Sequence, residues 1–213
     1  MADSDGSHTE SGATPGPGED RRARLVDAAV DHVAEHGIAD LSLRRLGAAI
    51  GVSHRMLIHY FGSKEQLLAE IVRTSERRQR ERLSRLRLEP GLSPRDAARL
   101  LWRHLTDPAL ADQERLFFEL CGRALRGHPE AVRVLDGLVT DWLEPLAQAE
   151  TAAGADPAAA RNRARLGLAT VRGLLLDLLA TGDRVGVDAA MEEFLRLYYP
   201  PSDGAADQRG STT

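Results

Sequence analysis

Apolar residues recur along this chain at intervals of three and four, which predicts helices and no convincing strand. Leu25, Ala28, Ala29 and Val33 mark a first helix. Gly37 follows it as a residue able to take the left-handed conformation that ends a helix. Ser42 is placed to cap a second helix with Leu43, Leu46 and Ile50 on its inner side, and Gly51 breaks it. Ser53 opens a third short helix that ends near Tyr60 and Phe61. Ser63 and Gln66 have capping-box spacing for a fourth, which carries Leu67, Leu68, Ile71 and Val72. From Arg73 to Arg82 that helix turns polar on nearly every side. It reads as a solvated stalk held by Glu–Arg pairs three and four apart, and Glu76 and Glu81 interrupt any purely basic stripe on it.

Further helices follow. Ser93-Pro94 is a cap with proline at the first helical position, ahead of Ala98, Leu101, Trp102 and Leu105. A helix from about Ala111 to Arg126 carries Phe117, Leu120, Cys121 and Ala124 on one side. The next is expected from Pro129 to about Glu150, with Val132, Leu135, Val139, Trp142 and Leu146 spaced three and four apart, and with Pro145 placed to kink or split it. After Asp156-Pro157 a helix should run to Thr181, with a last one at about Val187 to Leu197. About nine helices with short connections make an all-α protein. Residues 1–18 and 200–213 are poor in large apolar groups and rich in Gly, Ser, Pro, Asp and Thr, so they read as disordered tails.

Composition narrows the function classes. The chain of 213 residues has no apolar run of the ~18 residues a membrane helix needs. Its acidic start is unlike a signal peptide, so a cytoplasmic location is expected. The single Cys121 fits that location, since one cysteine forms no internal disulfide. The net charge of −4 argues at first against nucleic acid, but the charge is unevenly spread. Residues 1–20 hold five acids and no Lys or Arg, whereas residues 21–64 hold seven basic and four acidic side chains with four histidines. No phosphate loop, nucleophile elbow or paired-carboxylate motif calls for an enzyme. Cys121, His104 and His128 lack metal-ligand spacing, so no cofactor is expected. His32 and His36, four apart on the first helix, read as a surface or core-edge pair.

The basic segment coincides with the strongest motif, SLRRLGAAIGVSHRMLIHYFGSK at residues 42–64. It reads as a two-turn helix, a tight turn at Gly51-Val52-Ser53 and a second short helix, bound together by Leu46, Ile50, Val52 and Leu57. That is helix-turn-helix spacing, in which the second helix enters the major groove of double-stranded DNA. His54 and Arg55 open that second helix, where side chains point toward base edges, and an arginine can grip guanine through two hydrogen bonds. Ser42, Ser53, His59, Tyr60 and Lys64 suit phosphate contacts. Lys64 is the only lysine in the chain. It also sits in the first turn of the fourth helix, where the dipole disfavours a cation, a conflict a phosphate would resolve.

Residues 22–68 resemble the DNA-binding domain of TetR-type transcriptional regulators. Arg24-Leu25-Val26-Asp27-Ala28-Ala29 is similar to the family's opening helix and His36-Gly37-Ile38 to its turn. Gly51-Val52-Ser53 and Tyr60-Phe61-Gly62-Ser63-Lys64-Glu65-Gln66-Leu67-Leu68 match its most recognisable stretch. The resemblance makes Lys64 the family's phosphate-binding lysine and Arg44 a position that reaches DNA in some relatives. It departs from the family at Ile58, where a tyrosine is usual, at Arg55 and Met56, where a small residue and Thr or Ser are usual, and at Gly47, where alanine is usual. No operator sequence is therefore carried over.

The resemblance implies an N-terminal three-helix reader at 19–65 and a ligand-binding and dimerisation domain at 66–199. It further implies a homodimer paired through two apolar helices per subunit, and a repressor of a palindromic operator released by a mostly apolar small molecule. The 129–150 stripe and Leu168, Val171, Leu175 and Leu178 are the candidates for pairing, and plain intrachain core is the competing reading of both. Trp102, His104, Phe117, Phe118, Cys121 and Trp142 are the candidate ligand contacts. Two rivals stay open: a regulator controlled by a partner protein or by no ligand, and an all-α small-molecule- or haem-binding module that does not bind DNA.

Overall fold

A computed structural model describes residues 17–37, 41–152 and 155–199. Of the tails expected at 1–18 and 200–213, residues 1–16 and 200–213 lie outside the described residues, as does Ile38 of the turn. Among the described residues there are nine α-helices and no strand. They are α1 (Pro17–His36), α2 (Leu43–Ala49), α3 (His54–Phe61), α4 (Lys64–Leu88), α5 (Pro94–Leu105), α6 (Ala111–Leu125), α7 (Thr140–Ala152), α8 (Pro157–Thr181) and α9 (Arg184–Tyr198). Short 3-10 turns at Pro108–Leu110 and Val132–Leu135 join α5 to α6 and α6 to α7. α1 takes in Pro17 and Gly18, which composition had placed in the tail.

Local chemistry sets the helix ends. The side chains of Ser42, Ser53, Ser63 and Ser93 each accept from the backbone N–H three residues on. Asp156 accepts from the N–H groups of both Ala158 and Ala159 at 3.1 Å and starts α8. These oxygens satisfy donors that the first helical turn leaves without partners.

Three apolar clusters make the interior. The first joins Val30 and Val33 of α1, Leu46 of α2, Leu57 of α3, and Leu67 and Ile71 of α4 to Leu116, Phe117 and Leu120 of α6. The helix-turn-helix therefore shares one core with the body behind it. The second gathers Leu83, Ala97, Leu101, Leu105, Trp142 and Leu168. The third holds Trp102, Leu175, Val187, Met191 and Leu195.

Two expectations need correction. No helix runs from Pro129 to Glu150: α7 begins only at Thr140. The break comes from Gly137, whose φ of +71° is a left-handed conformation, with the Asp141 carboxylate lying where a Cβ would be. Pro145 then lies inside an unbroken α7. The stripe expected to pair with a second copy is used internally, since Trp142 is buried and Val139 and Leu146 pack beside it. Second, the polar stretch of α4 is not a solvated stalk. Thr74, Ser75, Glu76 and Gln79 are buried, because α1 packs along α4 and because Glu76 and Gln79 bond to side chains of α6, α7 and α8. Arg77 and Glu81 do pair at 3.6 Å on the outer side.

Gly47 has a steric cause. A Cβ there would stand 2.6 Å from the Val52 carbonyl oxygen and 3.3 Å from the His54 nitrogen. The missing side chain lets the turn into α3 lie directly on α2, where the Val52 N–H donates to the Gly47 carbonyl at 2.8 Å. Alanine would gain up to ~1 kcal/mol of helix propensity. Gly47→Ala should nevertheless destabilise the fold by about 1–3 kcal/mol through overpacking. Urea unfolding followed by circular dichroism measures this, and an increase in stability would show that the turn yields without cost.

Candidate nucleic-acid interface and internal cavity

The sequence between Leu41 and Ser63 contains no Asp or Glu. α3 turns Leu57 and Phe61 inward and leaves His54, Arg55, Ile58 and His59 exposed on the opposite side. Arg44, Ser42 and Ser53 are exposed beside them, as is Lys64 at the start of α4, while Tyr60 is half-buried. Among the described residues Arg44, Arg55 and Lys64 make no ion pair, whereas Arg22, Arg78, Arg80, Arg99, Arg123 and Arg172 all do. A cationic face without internal counter-charges is suited to polyanions. The hydroxyl oxygens of Ser42 and Ser53 already accept from Arg45 N–H and Met56 N–H at 3.2 Å. Their O–H groups remain to donate outward. The eight residues proposed from sequence as DNA contacts thus fall on α2, α3, the turn between them and the first turn of α4. Seven are exposed, and Tyr60 is held from behind by Arg22, whose Nε donates to its carbonyl.

α1 fastens this unit to α4. Arg22 reaches Glu70 at 3.0 Å and lies over the Phe61 ring at 5.1 Å. Arg78 bonds Asp27 at 2.9 Å and also engages Asp31. The reader and the first half of α4 are therefore one mechanical piece.

The second half of α4 forms one wall of a cavity. Where the three apolar clusters meet, about 790 Å³ of space lies between the atoms, counting its open mouth, of which about 80 Å³ is wide enough for the centre of a water molecule. Trp102, Phe117, Trp142, Phe194, Tyr198 and Tyr199 give it an aromatic lining. One end is polar. There Glu76 accepts from Trp142 Nε1 at 2.8 Å and from Arg172 at 2.7 Å, and Arg172 also donates to the Leu138 carbonyl at 2.9 Å. Beside them Gln79 donates to Glu114 at 2.8 Å. Burial, reinforced by the negative charge of Glu76, pushes the Glu114 carboxyl up to about 8.

Of the six ligand contacts proposed from sequence, Trp102, Phe117 and Trp142 line this cavity. His104, Phe118 and Cys121 do not. His104 lies off the inner face of α5 defined by Ala98, Leu101, Trp102 and Leu105, and burial together with Arg82 lowers its basicity. Phe118 and Cys121 are half-buried against the core shared with the reader. Sequence reading missed Glu76, Gln79, Glu114, Arg172 and the Tyr198–Tyr199 pair. The signal was present: Val72, Glu76, Gln79 and Leu83 continue one inner stripe of α4 at four-three-four spacing, with polar residues in its middle. His32 and His36 stack at 4.4 Å on the surface, and no group of three possible metal ligands occurs among the described residues. No helix among them is long and apolar enough to cross a membrane.

Residues 25–71 match the family profile of bacterial regulatory proteins, tetR family. A curated relative, the HTH-type transcriptional regulator BetI of Stenotrophomonas maltophilia, is 33% identical over 81 residues, 38% of this chain and 41% of that protein. The chain thus spans under half the length of that relative. Among solved structures, a transcriptional regulator from Rhodococcus sp. Rha1 is 25% identical with a TM-score of 0.62, covering 83% of this chain and 95% of the other. A multidrug binding protein, EbrR, solved with proflavin, is 27% identical with a TM-score of 0.53, covering 83% of this chain and 99% of its own. The helix-turn-helix at residues 25–71 is thus that of the tetR-family profile, and the all-helical body is similar to that of the Rhodococcus regulator.

Proposed function

We propose that this chain is a homodimeric transcriptional repressor that binds a palindromic operator and is released when a small molecule occupies the cavity. The observation that carries this reading is α4. It presents Lys64 on the cationic face and Glu76 and Gln79 in the cavity wall, twelve to fifteen residues along the same helix. That is a rigid rod of roughly 18–22 Å. A ligand that shifts Glu76 must therefore move the reader. In a dimer the two recognition helices must lie about 34–36 Å apart to meet successive major grooves. A small tilt of α4 spoils that spacing, and the coupling is typically worth about 1–3 kcal/mol.

Pairing has a candidate surface. α8 exposes Leu166 and Leu176, with open space at Gly173 between them, and α9 exposes Val185 and Leu197. These two helices pack on each other, so a second copy would complete a four-helix interface. This replaces the 129–150 stripe as the pairing surface. The solved EbrR, described as binding drugs, favours a small-molecule effector over a ligand-free regulator. Arg44, Arg55 and Lys64, which make no ion pair among the described residues, favour DNA over a haem- or small-molecule-binding module without it.

Titration of the protein against its own upstream intergenic DNA across a salt series tests the reading. Arg55→Ala should relax base preference by about 1–3 kcal/mol. Lys64→Ala should weaken all sequences evenly and reduce the salt slope by about one. Identical behaviour of both variants on all sequences would refute the assignment of the reading face. For pairing, Leu166→Glu with Leu176→Glu should yield folded monomers in sedimentation velocity and lower operator affinity. Dimers that persist in that variant place the interface elsewhere.

A further inference from the structure

The cationic face of α3 carries one residue that electrostatics does not explain. Ile58 is 40% exposed, and among the described residues no other large apolar side chain before Leu88 is so open to solvent. It joins none of the three apolar clusters, whereas Leu57 and Phe61 of the same helix lie in the first. A β-branched residue at an exposed helical position also forgoes the helix propensity that Lys, Arg, Gln or Glu would supply. Single exposed apolar residues are ordinary on a protein surface. The position of Ile58 sets it apart. At about 3.6 residues per turn it falls between His54 and Arg55 around the axis of α3, one turn further on, with His59 beside it. His54, Arg55 and His59 are all exposed, so Ile58 stands within the face that would enter the major groove and not at its rim.

An isoleucine side chain has neither donor nor acceptor. In the major groove every base pair presents polar atoms, and the apolar group among them is the C5-methyl of thymine. Set against a guanine, cytosine or adenine edge, Ile58 would strip water from donors and acceptors and return no hydrogen bond. Set against the methyl, both apolar groups leave water together. From this we infer that Ile58 is a specificity-determining residue that selects thymine through its methyl group. The inference rests on reading α2 and α3 as the DNA reader, and it names a base that each half-site must carry.

Helix geometry sets where that base lies. Ile58 follows Arg55 by three residues, ~4.5 Å along the axis, and base pairs rise about 3.4 Å each. The thymine therefore sits about one or two base pairs from the pair that Arg55 contacts. The two side chains read different chemistry: Arg55 brings charge and donors, while Ile58 responds to a group whose loss changes no charge and no hydrogen bond. Burial of one methyl-sized group is worth about fourfold in affinity, so removing it from both half-sites of a palindrome costs roughly fifteenfold. Because no charge is exchanged, that factor is the same at every salt concentration, unlike the contribution of Lys64.

The test uses duplexes of the upstream DNA segment that the protein protects, with uracil replacing thymine at one symmetric pair of positions at a time. Uracil keeps every hydrogen-bonding group of thymine and lacks only the methyl. Fluorescence anisotropy titrations of the wild type should find a symmetric pair whose replacement costs roughly fifteenfold, with the same ratio at low and high salt. That pair should lie about one or two base pairs from the position at which Arg55→Ala relaxes base preference. Ile58→Ala should bind the thymine duplex about as weakly as the wild type binds the uracil duplex, and should not distinguish the two. Arg55→Ala should keep the full uracil penalty. Ile58 is exposed, so its variant should give the circular dichroism spectrum of the wild type. Sequence-specific binding with no uracil-sensitive pair near the Arg55 position, or an undiminished uracil penalty in Ile58→Ala, overturns the thymine assignment and leaves the reading face standing. Wild-type protein that binds no DNA sequence in preference to another overturns both.

Discussion

The structure depends on what happens at Glu76. A carboxylate inside a helical body costs several kcal/mol unless it is paired and hydrogen-bonded. Here the indole of Trp142 and the guanidinium of Arg172 meet on one of its oxygens, and Arg172 carries the link on to the Leu138 carbonyl. Three helices, α4, α7 and α8, and the turn before α7 are thereby joined at one point. Removing any one partner leaves the others without their bonds in a largely buried site, so the helices hold their relative positions or shift together. That is the property required of a part that links a binding cavity to a reading head. Arg172 also lies 5.2 Å over the Phe117 ring, which brings α6 into the same assembly.

At the other end of α4 the electrostatics are reversed. Among the described residues Arg44, Arg55 and Lys64 make no ion pair, and the chain from Leu41 to Ser63 is free of acids. Such a face gains little within the folded chain, and Lys64 sits against the positive end of its own helix. Leaving these cations unpaired is consistent with a partner that brings its own negative charge. Three acids of this half of the molecule are employed behind the face. Asp27, Asp31 and Glu70 tie α1 and α4 together through Arg78 and Arg22, which keeps their charge away from the reading surface. The net charge of the whole chain therefore says little about what this end can bind.

The helix-turn-helix was legible because its determinants are local. Serine caps, a glycine at the turn and apolar residues three and four apart act within a few residues of one another, and α2, α3 and the start of α4 follow them closely. The ends of α5 and α8 were legible for the same reason, through Ser93-Pro94 and Asp156-Pro157. The 129–150 segment was misread because periodicity carries no information about backbone sign. Val132, Leu135, Val139, Trp142 and Leu146 keep helical spacing, yet Gly137 takes a positive φ between them, and only Val139, Trp142 and Leu146 pack into the interior. Gly47 looked like a weakness in a helix until the Val52 carbonyl was seen to occupy the place of its side chain.

By itself the sequence determined the all-helical class, the caps, the reader with its cationic face, and the family likeness, because short-range periodicity and contiguous motifs encode all of these. Only the tertiary structure decided which polar residues are buried. Glu76, Gln79, Glu114 and Arg172 are ordinary charged or amide positions on three helices, spread across nearly a hundred residues. Burial is a property of what packs opposite, and a helix cannot specify from its own sequence which neighbour will cover it. The same reason separates Trp102, Phe117 and Trp142, which line the cavity, from His104, Phe118 and Cys121, which do not. It also moves the free apolar surface from the segment before α7 to the outer faces of α8 and α9.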